Sequence, residues 1–160
     1  MLVSFDVLPP ESRIWIYQSN RAFNGEEITA LKQALDLFLN QWTAHGASLE
    51  AGYLIPYNRF IVIGLNQEAH AASGCSIDAS VHFIQSLEQH FNVELLDRMN
   101  VTFFQGSDLV YKPLTEFRKM AKSKAISGAT TVFNNLVNNK LEFEQFWKVP
   151  ASESWHSRFF

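Results

Sequence analysis

The chain has 160 residues with 47 % apolar and 18 % charged side chains, 14 of them phenylalanine, and this balance excludes a disordered chain. A formal net charge of −3 excludes a strongly basic nucleic-acid binder held by phosphate attraction, and a single cysteine excludes an internal disulfide and a Cys-rich zinc site. The length fits one globular domain over residues 1–160.

The start, Met1-Leu-Val-Ser-Phe-Asp6, lacks a basic region and is followed by Pro9-Pro10, so no signal peptide is expected. The longest apolar run, residues 60–65, is strand-sized, far short of the ~20 residues that cross a bilayer. A cytoplasmic, soluble protein is the resulting expectation.

Arg13-Ile-Trp-Ile-Tyr-Gln18 is β-branched and aromatic on both faces and predicts an interior strand. Asn24 and Glu27 have capping-box spacing. Ile28, Leu31, Leu35, Phe38 and Trp42 then recur at helical steps, which predicts an amphipathic helix over 26–43 with Gly46 as its stop. Residues 48–56 and 60–65 predict two strands joined through the polar turn at Tyr57-Asn-Arg59, a hairpin. Residues 66–74 predict a loop, and residues 76–91 a second helix with Ile77, Val81, Ile84, Leu87 and Phe91 on one face.

Strands follow at 101–104 and 109–111, joined by a turn at 105–108. A short helix is expected at 115–122 with Thr115 as its cap, a last strand at 130–133, and a short helix to about Trp147 opened by Asn139 and Glu142. The aromatic tail, Ser154 to Phe160, is expected to dock on the body. The first half reads β-α-β-β-α-β. That order predicts an α+β fold, a ferredoxin-like antiparallel sheet with two main helices on one face and C-terminal additions.

Chemistry concentrates at the start of the second helix. Cys75 falls in its first turn, where free N–H groups and the helix dipole favour an anion. With His45 or His156 as base, Cys75 is a candidate nucleophile for acyl transfer or hydrolysis. Asp78 in the same turn opposes a thiolate, and Ser73 or Ser76 is also an ordinary cap. Without chemistry, the same helix start is a candidate anion site built from Ser73, Gly74, Cys75 and Ser76. Polar residues at loop ends are candidates to complete it: His45, Gly46, Asn58, Arg59, Asn134, Asn135, His156 and Arg158.

His70, His82 and His90 lack ligand-like spacing, so no metal and no cofactor is expected. There is no Gly-x-x-x-x-Gly-Lys-Ser/Thr and no Gly-x-Gly-x-x-Gly. Arg118, Lys119, Lys122 and Lys124 read as a solvated helix face, and no nucleic-acid or membrane partner is expected.

Gln41-Trp-Thr-Ala-His-Gly46, Tyr57-Asn-Arg-Phe-Ile61, Ser73-Gly-Cys-Ser-Ile-Asp78, Val132-Phe-Asn-Asn-Leu136 and Ser154-Trp-His-Ser-Arg158 resemble a family of uncharacterised bacterial proteins of the Bacteroidetes type, sometimes labelled ABC transporter ATPases. The resemblance runs from about residue 13 to the end. The residues give the label no support, because the phosphate-binding loop and its lysine are missing. The resemblance implies a cytosolic protein and carries no activity.

Three functions stand side by side. The leading one is binding of a small anionic ligand or a protein partner near the start of the second helix. The second is a Cys75-dependent acyl transferase or hydrolase. The third is a structural, self-associating protein: both faces of the 13–18 strand are apolar, so either a homodimer or the C-terminal helices and tail must cover the face that the two main helices leave open.

Overall fold

The computed structural model describes residues 1–160. It is an α+β fold with four α-helices and antiparallel sheets. No helix is long and apolar enough to cross a membrane. The chain forms two compact units, residues 1–96 with 138–141, and residues 97–137 with 142–160.

In the first unit, β1 (Arg13–Gln18), β4 (Ala51–Leu54) and β5 (Phe60–Leu65) form an antiparallel sheet in the order β1-β5-β4. All six β5 residues are buried, as their uninterrupted apolar character requires of a central strand. Two helices, α1 (Gly25–Gln41) and α2 (Gly74–Phe91), lie on one face. Leu31, Leu35 and Leu39 of α1 and Ile84, Leu87 and Phe91 of α2 share a core with Tyr17, Ile61, Ile63 and Leu65 of the sheet.

Both helix starts are set by local chemistry. Asn24 caps α1 through a box with Glu27, as its spacing predicts. Ser73 caps α2, and Ser76 is the reciprocal partner, so α2 begins two residues earlier than expected. The buried stripe of α2 also differs from the expected one. Ser76 and Ser80 are buried where Ile77 and Val81 were expected, both of which are only half-buried. The Trp42 indole donates to the Ser76 carbonyl at 2.8 Å. Trp42 in turn meets Trp15 and Phe38 edge-on or tilted, and Phe38 stacks on Phe83.

α1 ends at Gln41, and the segment expected as its last turn opens a small hairpin, β2 (Thr43–Ala44) with β3 (Ala47–Ser48). His45 and Gly46 turn it, both at positive φ. Two left-handed residues in a two-residue loop match the twist of the flanking strands, so Gly46 serves a hairpin and not a helix stop. The expected 48–56 strand is accordingly split into β3 and β4.

The sheet's second face is closed in part from within the unit. Residues 1–3 run along the β4 edge, where Val3 donates to the Ala51 carbonyl and Ala51 donates to the Met1 carbonyl. The chain then crosses through a 3-10 turn at Phe5–Val7. Phe5 and Leu8 come to lie on Gly64, and the Val3 carbonyl and Phe5 amide on Gly52. The Lys140 ammonium donates to the carbonyls of Asp6 at 3.0 Å and Leu8 at 2.7 Å. Residues 138–140 pair with the outer edge of β1 through an antiparallel bridge between Asn139 and Arg13.

The second unit holds a four-stranded sheet in the order β7-β6-β8-β9, from β6 (Asn100–Gln105), β7 (Asp108–Pro113), β8 (Thr131–Phe133) and β9 (Lys148–Pro150). The segment at 101–104 therefore pairs with β7 and β8. Gly106 turns the β6–β7 hairpin at a φ of 62°. α3 (Leu114–Lys122) starts one residue early and has no side-chain cap, so Thr115 does not serve as one. Its Phe117 is fully buried against Phe103, His156, Phe159 and Phe160. The aromatic tail thus docks, as expected, in two short 3-10 turns at Ala151–Glu153 and Trp155–Phe159. α4 (Lys140–Phe146) begins in the first unit and continues into the second.

Candidate functional site

The residues singled out in the sequence fall into three places. The first is the start of α2. Ser73 and Ser76 spend their hydroxyls on each other's backbone: Ser73 Oγ accepts from the Ser76 amide at 3.1 Å, and Ser76 Oγ accepts from the Ser73 amide at 2.8 Å. Ser76 Oγ also donates to the Ser73 carbonyl at 2.8 Å. Gly74 faces open space, and Cys75 is exposed. The Trp42 contact brings the β2–β3 hairpin, and with it the exposed His45 and Gly46, to this end of the unit. No hydrogen bond links Cys75 to any histidine.

The second place is the β4–β5 turn, and it lies at the other end of the sheet. The Ser19 amide donates to the Arg59 carbonyl, and the Phe23 amide to the Asn58 carbonyl. Arg21, two residues beyond Ser19, donates to the Phe91 carbonyl at the last turn of α2. Arg59 therefore sits at the C-terminal end of α2. With 18 residues, α2 is about 27 Å long, so Arg59 and Cys75 are held a helix length apart.

The third place is the second unit. Asn134 accepts from the Leu136 amide through its side chain at 3.1 Å, a local turn. Asn135 Oδ1 accepts from the Trp147 indole at 2.9 Å. His156 is 1 % exposed, its Nδ1 sits 2.8 Å from Ser154 Oγ, and its ring stacks on Trp155. Burial, and then the Arg158 charge, push its pKa down to about 4. Arg158 is exposed and lies over the Trp155 and Phe159 rings. Each of these four side chains has a partner or ring contact within its own unit.

Of all these residues, Arg59 is the one whose charge is left over. It is half-buried, and burial alone lowers its pKa. Its guanidinium has no hydrogen-bond, ion-pair or ring partner, in contrast to Arg21, which binds Glu27 through two bonds of 2.8 Å. The two residues before it, Tyr57 and Asn58, are both left-handed, with φ of 57° and 52°. Such a non-glycine residue costs about 1 kcal/mol or more and persists where surrounding contacts over-determine it. Here those contacts are the bonds from Ser19 and Phe23. The exposed Asn58 amide stands next to the guanidinium in sequence on the same rigid turn.

A cleft of about 500 Å³, which nothing in the sequence signalled, opens at the β4 edge. Residues 2–6, Asp36, Tyr53 and Leu54 line it. Tyr53 Oη donates to Asp36 at 2.7 Å, and burial followed by that bond raises the tyrosine pKa. No group of three or more His, Cys, Asp or Glu is arranged to hold a metal ion. No family model matches the chain, and no curated protein or solved structure matches it either.

Proposed function

We propose that this is a binding protein for an anionic group, carboxylate or phosphate, and that Arg59 is its primary anchor. The carrying observation is the half-buried guanidinium without a counter-charge on a strained, pinned turn. Removing part of a guanidinium's hydration shell is unfavourable unless an acceptor replaces the lost water. A carboxylate or phosphate does so with two parallel hydrogen bonds. The anionic-ligand reading of the sequence is thereby kept, and its locus moves from the start of α2 to the Tyr57–Arg59 turn. The rival Cys75 enzyme is less supported, since the exposed Cys75 has no hydrogen-bonded base and His156 is fully buried against Phe117 and Trp155.

In the same reading the protein is cytosolic and belongs with the uncharacterised bacterial family that it resembles. Its first unit is a ferredoxin-like arrangement in which residues 138–140, rather than 101–104, stand in the fourth strand's place beside β1.

The test is a melting series in inorganic phosphate, acetate and citrate. At an anion concentration about 100 times its dissociation constant, binding adds about 2.7 kcal/mol of stability. Arg59→Gln removes that gain, and Arg59→Lys keeps only part of it because an ammonium cannot grip two oxygens at once. Without anion, Arg59→Gln is at least as stable as the parent, since it removes a partly desolvated charge. Equal anion shifts in the parent and in Arg59→Gln would end the proposal.

A further inference from the structure

The β4 edge is incomplete in a specific way. Ala51 bonds outward to residues 1 and 3, so by the alternation of antiparallel pairs Gly52 and Leu54 bond inward to β5. Tyr53 shares the outward orientation of Ala51. Its N–H and C=O have no partner, because the N-terminal segment leaves the edge after Val3 and turns onto the opposite face. Tyr53 itself lines the cleft of about 500 Å³. Asp6 and Asp36 line the same cleft, and neither carboxylate has an ion-pair partner. Asp36 spends one oxygen on the Tyr53 hydroxyl and keeps the other. The surrounding unit carries ten acidic residues against five basic ones.

We propose that this cleft docks an extended, lysine- or arginine-bearing segment of a partner protein, paired through its backbone to Tyr53 and through its cationic side chains to Asp6 and Asp36. An unpaired strand edge is a template for another strand, and main-chain bonds there supply affinity while flanking side chains supply selectivity. The charge of the cleft selects a basic segment over an acidic or neutral one.

The experiment uses the full chain and a labelled, acetylated peptide of repeated Lys-Lys-Val-Val, whose neighbouring lysines point to opposite faces of a strand and so reach both Asp36 and Asp6, read by fluorescence anisotropy. Three companions are a peptide of repeated Glu-Glu-Val-Val, the lysine peptide N-methylated along one edge, and free butylamine as competitor. The lysine peptide binds about tenfold or more tightly than the glutamate one, and N-methylation weakens it by a similar factor. Asp36→Asn, which still accepts from Tyr53, and Asp6→Asn each weaken it, with melting temperature confirming that the fold is kept. Butylamine competes poorly. Equal binding of the methylated peptide would reduce the contact to ionic attraction and overturn the docking mode. Effective competition by butylamine would mark a small-amine site and overturn it as well, as would indifference to peptide charge or an absence of binding. None of these outcomes involves Arg59, so the anion proposal stands or falls separately.

Discussion

His156 shows how a residue type that suggests catalysis is absorbed by structure. As a sequence feature it is a candidate base, but in the fold its ring fills the space between Phe117 and Trp155 and its Nδ1 is spent on Ser154. The charged form is disfavoured by burial and by Arg158, which brings the folded pKa to about 4, below the ordinary 6.5. The folded protein therefore holds fewer protons at this site than the unfolded chain below pH 6.5. The resulting stability is complete above that value and is lost as pH falls from 6.5 toward 4. Each pH unit inside that window removes about 1.36 kcal/mol, so pH 5 costs about 2 kcal/mol. Urea unfolding at pH 7.5 and pH 5.0 measures the loss, and His156→Gln flattens it. An unchanged pH slope in that variant would place the acid sensitivity elsewhere. Arg59 is the opposite case. Its type and its place in a polar turn were legible, yet its lack of a counter-charge is a three-dimensional fact.

Among the elements, the N-terminal segment and the glycines beneath it make a sharp contrast. A Cβ on Gly52 would lie 2.6 Å from the Val3 carbonyl and 2.9 Å from the Phe5 amide, both backbone atoms. Backbone cannot rotate away as a side chain can, so Gly52→Ala displaces residues 3–5 and costs about 1–3 kcal/mol. Gly74, in the first turn of α2, meets nothing, and alanine is the better helix former. Gly74→Ala is neutral or stabilising by up to about 1 kcal/mol. Paired melting curves check both signs, and a stabilising Gly52→Ala would show that the segment does not lie on the sheet. Helix starts, hairpin turns and the central strand were readable because capping boxes, turn residues and apolar runs act over a few neighbours. The register of α2 was not, since Ser76 is buried where the indole of Trp42, from outside the helix, bonds its carbonyl.

At the scale of the whole molecule, the modest overall charge of −3 conceals a division. The first unit carries −5, and the second, with eight basic and six acidic residues, carries +2. Charges of one sign in one unit steer oppositely charged partners toward it over the screening length. Raising ionic strength from about 0.01 M to about 0.15 M shortens that length from about 30 Å to about 8 Å. The association rate of the lysine–valine peptide is expected to fall about tenfold over this range, with little change in its dissociation rate. Stopped-flow mixing reads both rates, and a salt-independent association would remove the field of the first unit from the account.

By itself the sequence determined the α+β class, both main helices, the β5 strand and the docking of the aromatic tail. Each of these rests on patterns within about twenty residues, where periodicity and capping dominate. The tertiary structure alone decided which sheet the 101–104 strand enters, that Arg59 and Cys75 stand at opposite ends of α2, and that Tyr53 is left with an open edge. Those outcomes depend on contacts between residues distant in the chain, such as Val3 with Ala51 and Arg21 with Phe91, whose energies no local pattern records.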